Sequence, residues 1–260
     1  MAIYRFGKHP AKRDYRTLRL KDYLTEKLPP PPPSDDVLAR VYKNLKVNDP
    51  TKLFPMDGND TLGDCTIAAL AHAETVFRGL IGQQKLMPRK DVVKLYWHLT
   101  GGIDSGLNEL DVLNYWRQHR VSGDEILAFV SIDPLNHAHV QQAIHLFGGV
   151  YLGFQVQQGC EAQFEARQPW VPGPLTKEGH AVVAVGYDPQ QLTMLTWGNT
   201  QQGTWAWWDD CVDEAYAILP PEAFSREFAG LSLAQLRADL EEVADGPVGI
   251  PALAGAGGGA

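Results

Sequence analysis

Residues 179–188 read Gly-His-Ala-Val-Val-Ala-Val-Gly-Tyr-Asp, GHAVVAVGYD. Apolar residues follow one another here without the alternation of a half-exposed strand, so the stretch predicts a strand buried on both faces. His180 opens it, which sets the imidazole at the strand's mouth and not in its middle. Turn residues at 188–191 lead into residues 192–197, which read as the next strand. If Tyr187 faces Leu192, the register places His180 opposite Asn199, with facing Cβ atoms about 5 Å apart. The Asn199 side-chain carbonyl would then accept from the ring N–H and fix its tautomer. A single-residue slip would break this pairing.

Outward from this hairpin, residues 150–156 and 204–208 also read as strands, whereas the chain before residue 123 is helical in pattern. Helices are expected at 35–45, 63–77, 89–99 and 107–120, with one more near 137–147 and an amphipathic one at 231–243. Helices first and strands later predict an α+β fold. The division expected is a basic, Pro-rich arm at 1–50, a main domain at 51–225 (helical lobe about 51–122, β-rich lobe about 123–225), a C-terminal helix at 226–243 and a disordered tail at 244–260.

Cys65 lies in NDTLGDCTIAALAHA, residues 59–73, at the first turn of the helix expected to be central. Unpaired backbone N–H groups and the helix dipole favour negative charge there, so the thiol is expected to ionise readily and act as a nucleophile. It needs a base. His72 lies seven residues further along the same helix, about 10 Å up the axis and too far for proton transfer. His137, His139 and His145 lack acidic or thiol ligands at metal spacing and read as residues decorating a helix end. His180 is left, at a location suited to a site. Asp104 or Ser105 is expected to cap the helix that follows.

The full chain carries 23 basic and 31 acidic residues, net −8. Residues 1–52 hold 12 Lys or Arg against 6 Asp or Glu, leaving 11 against 25 in the remainder. The acidic total argues against nucleic-acid binding, and a basic arm lying on an acidic body is the favourable arrangement. No apolar run suits a signal peptide or a membrane span, which points to a cytoplasmic protein. Three cysteines at 65, 160 and 211 form neither a disulfide framework nor a CxxC pair. No cofactor or metal is expected.

The order DGNDTLGDC, then GHAVVAVGYD, then a strand ending in WGN and a QGTW segment resembles the papain-like cysteine peptidases, over roughly residues 50–220. The resemblance implies a two-lobed fold with Cys65 attacking, His180 shuttling the proton and Asn199 orienting it. It implies that Asn59, six residues before the nucleophile, takes the place of the family's oxyanion glutamine. The family's Asn-Ser-Trp-Gly run reads Asn199, Thr200, Gln201, Gln202 here, so shielding of the histidine passes to Trp197 or Trp205. The implied activity is cleavage of peptide or related amide bonds in a peptide or protein substrate, without the long helical propeptide of secreted members. A binding module of the same fold is the alternative.

Overall fold

The computed structural model describes residues 4–47, 52–221 and 230–245. A two-residue strand, β1 (Asp35–Asp36), leads into helix α1 (Val37–Leu45), where the Asp36 carboxylate accepts from the Ala39 N–H and Lys46 ends the helix in the left-handed region. Helix α2 (Cys65–Leu80) is the hub: residues 65–76 are all buried, as expected of an Ala-rich helix that is apolar around its whole circumference. Burying Ile67, Leu70 and Val76 in this way contributes about 1.5–3 kcal/mol each. Gly79 lets α1 cross closely, since a Cβ there would stand 2.5 Å from Val41.

Helices α3 (Arg89–Thr100) and α4 (Glu109–Gln118) complete the helical half. Asn108, and neither Asp104 nor Ser105, caps α4, its side chain accepting from the Leu110 N–H. Asp104 instead accepts from the Gly63 N–H at 3.0 Å and the Tyr96 hydroxyl at 2.6 Å. A residue expected at a helix end thus braces the turn that delivers Cys65.

The second half runs β2 (Ala128–Ser131), α5 (His137–Phe147), β3 (Val150–Gln157), α6 (Cys160–Glu165), β4 (Leu175–Tyr187), β5 (Gln191–Thr196), β6 (Asn199–Thr204), α7 (Trp205–Cys211) and β7 (Val212–Leu219). The strands form one sheet in the order β2-β7-β3-β4-β5-β6, with β1 paired to the end of β4. A last helix, α8 (Leu233–Asp245), follows; the tail expected to be disordered lies, past Asp245, outside the described residues. The architecture is α+β, with the central helix laid on β4. Among the described residues no helix is long and apolar enough to cross a membrane.

Three local expectations are corrected. Residues 205–208 are helical: the Thr204 hydroxyl accepts from the Trp207 N–H, and this cap overrides the β preference of the indoles. β4 starts at Leu175, so His180 stands within the strand, at the point where its exposed stretch becomes buried. The N-terminal segment is built into the core and is not an arm outside it, with Lys8, Leu20, Tyr23, Val37 and Val41 buried. Its partners lie far along the sequence, as in the Tyr23 hydroxyl donating to Asp239 at 2.8 Å, so local composition could not reveal them. Basic and acidic portions do meet, through Lys8 with Asp213 and Lys12 with Asp111.

Candidate functional site

Cys65 is the first residue of α2, and the N–H groups of Ala181 and Gly7 face its sulfur. Ala181 follows His180 on β4. Gly7 follows Phe6, whose ring stands edge-on to the His180 imidazole with centroids 5.6 Å apart. Helix start, strand and N-terminal segment therefore converge on one place, and both Cys65 and His180 are 1% exposed there.

The imidazole is held on one side only. Its Nε2 pairs with the Thr196 hydroxyl at 2.8 Å, while Nδ1 has no hydrogen-bond partner among the described residues. Trp197 stacks on the ring at 4.7 Å. Trp197 and Gly198 both have positive φ, 45° and 74°, and form the two-residue turn between Thr196 and Asn199. A tryptophan in the left-handed region is strained, and that strain presents the indole to the histidine. Trp205 is elsewhere, donating to the Asp188 carbonyl and stacking on His137.

Asn199 is not the partner of His180. Tyr187 does face Leu192 and Gly186 faces Thr193, but past an irregularity Ala184 faces Met194 and Val183 faces Leu195. The register has slipped by one, and the tight turn at Trp197 carries Asn199 onto β6, where its side chain accepts from the Thr200 N–H. Thr196, a diagonal neighbour across β4 and β5, takes the contact instead.

Asn59 is 2% exposed, and its amide donates to Arg5 O at 2.9 Å and Leu62 O at 3.3 Å. It holds the N-terminal segment and the Cys65 turn, and is not an open oxyanion donor in this closed arrangement. Among the other histidines, His72 bonds Pro55 O at 2.9 Å and His145 bonds Asp35 at 2.6 Å.

Electrostatics here oppose the charge expected on Cys65. Burial pushes the thiol up to about 12, with Asp64 and Glu109 adding to the rise and the Ala181 and Gly7 N–H groups opposing it. Burial alone depresses His180 to about 3. Asp64, the residue before the cysteine, is pushed up to about 7 by burial and by Asp57. In this closed arrangement the thiol and the imidazole are both neutral. Open depressions of about 670 and 460 Å³ lie around the β5–β6 hairpin, and neither is lined by Cys65 or His180.

Sequence reading missed Thr196 and the segment of Tyr4, Phe6, Gly7 and Lys8. Thr196 gave no signal because its role follows from the slipped register. The segment did carry one, since the aromatic residues Tyr4 and Phe6 alternate with Arg5 and Gly7 inside a basic stretch.

No family model matches the sequence, and no curated protein does. Solved structures do. Xylellain, a cysteine protease from Xylella fastidiosa, is 17% identical with a TM-score of 0.64, over 84% of this chain and 96% of that one. Procathepsin B S9 from Trypanosoma congolense is 13% identical with a TM-score of 0.61, over 83% and 86%. The cysteine protease and lectin-like domains of Cwp84 from Clostridium difficile are 14% identical with a TM-score of 0.57, over 85% and 57%. At such identities the likeness speaks of architecture, and the architecture of this chain is the papain-like fold.

Proposed function

We propose that this protein is a papain-like cysteine hydrolase of peptide or related amide bonds, with Cys65 as nucleophile and His180 as general base and acid. The observation that carries the reading is the one-sided imidazole: Nε2 is fixed by Thr196, Nδ1 is unpartnered among the described residues, and the N–H of the next residue, Ala181, faces the sulfur of a cysteine at a helix start. Thr196 is the positioning residue in place of Asn199. Once the cleft is hydrated the proton passes from Cys65 to His180, and the thiolate attacks the carbonyl carbon. Imidazolium then protonates the departing amine, and water, deprotonated by the same ring, cleaves the thioester. Departure of Arg5 would free one Asn59 N–H for the carbonyl oxygen, which restores the oxyanion role read from the sequence. Three free, buried cysteines fit the cytoplasm.

A binding module of the same fold is the second reading, favoured by the sealed, uncharged Cys65. Hydrolysis of a fluorogenic peptide library decides between them. Cys65→Ala and His180→Ala should each cost about 10⁴-fold or more in kcat, whereas Thr196→Val should cost about 10-fold to 100-fold with rescue by Thr196→Ser. Turnover that survives Cys65→Ala removes the assignment.

A further inference from the structure

We infer that the pocket around Lys8 is a subsite for a lysine side chain beside Cys65, filled at rest by the chain's own N-terminal segment and open to an external peptide when that segment leaves. The inference rests on the hydrolase reading of Cys65 and His180.

Residues 5–9 already lie as a bound peptide would. The Arg5 N–H donates to Asn59 O at 2.9 Å, the Lys8 N–H to Gly179 O at 3.0 Å and the His9 N–H to Leu107 O at 2.9 Å. The Leu107 N–H donates back to Gly7 O at 2.8 Å. These bonds bridge the helical half and β4, and main-chain pairing of this kind accepts any extended peptide. Selectivity must come from side chains. At Gly7 there is no room for one, because a Cβ would stand 1.8 Å from Gly63 O.

At Lys8 the cleft is shaped for a long cationic chain. Its ammonium meets Asp213 at 2.8 Å and Glu214 at 3.0 Å, with the side chain 1% exposed. Gly153 leaves the space for the methylenes, since a Cβ there would stand 1.8 Å from Lys8 Cε and 2.7 Å from Glu109 Oε1. Glu109 is fully buried, and neither carboxyl oxygen has a hydrogen-bond partner among the described residues. One ammonium thus sits among three carboxyls on α4 and β7. Tyr216, which donates to Glu214 at 2.9 Å, and Tyr151, which donates to Thr66 O at 3.0 Å, are polar neighbours of these carboxyls. Burial alone would depress Lys8, but Glu109, Glu214 and Asp213 outweigh it and raise the ammonium above its usual range. With the segment displaced, this acidic pocket is left without its cation, and a lysine from another chain is what it fits.

The test uses the full-length chain carrying Gly7→Ala, whose added Cβ evicts the segment without altering charge. Iodoacetamide alkylation of Cys65 should run about tenfold or more faster than in the unsubstituted protein, in a chain that keeps the circular dichroism of the folded state at a lowered melting temperature. A synthetic Tyr-Arg-Phe-Gly-Lys amide should then protect Cys65 about tenfold better than the same peptide ending in Gln or Glu, and Asp213→Asn should erase that preference. Should Gly7→Ala not fold, Lys8→Gln serves in its place, with the same order of protection expected. Equal protection by Lys and Gln peptides, or alkylation no faster in a folded eviction variant, overturns the inference. Lysine-selective protection without hydrolysis of any peptide overturns only the hydrolase reading; hydrolysis without lysine preference overturns only the subsite.

Discussion

The two ends of helix α2 each carry an ionic cluster, part-buried at the far end and buried at the Cys65 end, and the clusters are built differently. At the far end Arg78 and Lys85 face Glu74 and Asp124: Arg78 Nε donates to Asp124 at 2.9 Å, and Lys85 lies 2.9 Å from Asp124 and 3.4 Å from Glu74. Two cations face two carboxyls among the described residues. Burial, with Asp124 second, pushes Glu74 up to about 8, so it carries a proton at neutrality. Burial would raise Asp124 as well, but hydrogen bonds from Glu74, Arg78 and Lys85 outweigh it and hold that carboxyl low. At the Cys65 end, one lysine faces three carboxyls, and Glu109 has no hydrogen-bond donor among the described residues. The difference teaches which end can move. The far cluster sets two cations against two carboxyls and ties α2 to the turn at Asp124, whereas the near one sets one against three and is closed by the N-terminal segment whose departure is inferred above.

The largest expected effect separates them by stability. Asp124→Ala leaves two cations facing one protonated carboxyl and should cost about 3–5 kcal/mol in urea unfolding, with no change in the alkylation rate of Cys65. A loss below about 1 kcal/mol would mean that the far cluster is solvated and the contrast false.

A smaller effect belongs to the Cys65 end. His180 is depressed from 6.5 to about 3 by burial, so the unfolded chain takes up a proton at higher pH than the folded one. Stability contributed by the neutral ring is therefore full above the unfolded value and declines as pH falls from about 6.5 towards 3. Between pH 7 and pH 5 the decline should be about 2 kcal/mol, and His180→Gln should remove that part of the slope. Parallel stability profiles for the two proteins over this range would show an imidazole already reached by water.

The unequal legibility of the two halves has a physical basis. Helix α2 declares itself in the sequence because Ala, Leu and Ile around the whole axis, after a Gly-Asp turn, have one structural solution. β4 does so because an unbroken apolar run is a buried strand. The partner of His180 was not legible: one irregularity between Ala184 and Gly186 shifts every later pair, and a tight turn with two positive φ values decides where Asn199 falls. Nor was the seat of Lys8, because Glu109, Asp213 and Glu214 lie about 100 or more residues away, and a basic stretch looks the same whether it meets solvent or a buried acid. The helix at 205–211 was hidden by its tryptophans, whose strand preference yields to one threonine cap.

The central claim, a competent Cys65–His180 pair held neutral by the segment above it, is tested most directly by the pH dependence of Cys65 alkylation in Gly7→Ala, with and without His180→Ala. The segment-released protein should react at a rate already level below about pH 7, and loss of the histidine should move the rise to about 8.5, the range of an ordinary thiol. Two superimposable curves rising near about 8.5 would contradict the account, because they would show a cysteine at a helix start with no base to serve it.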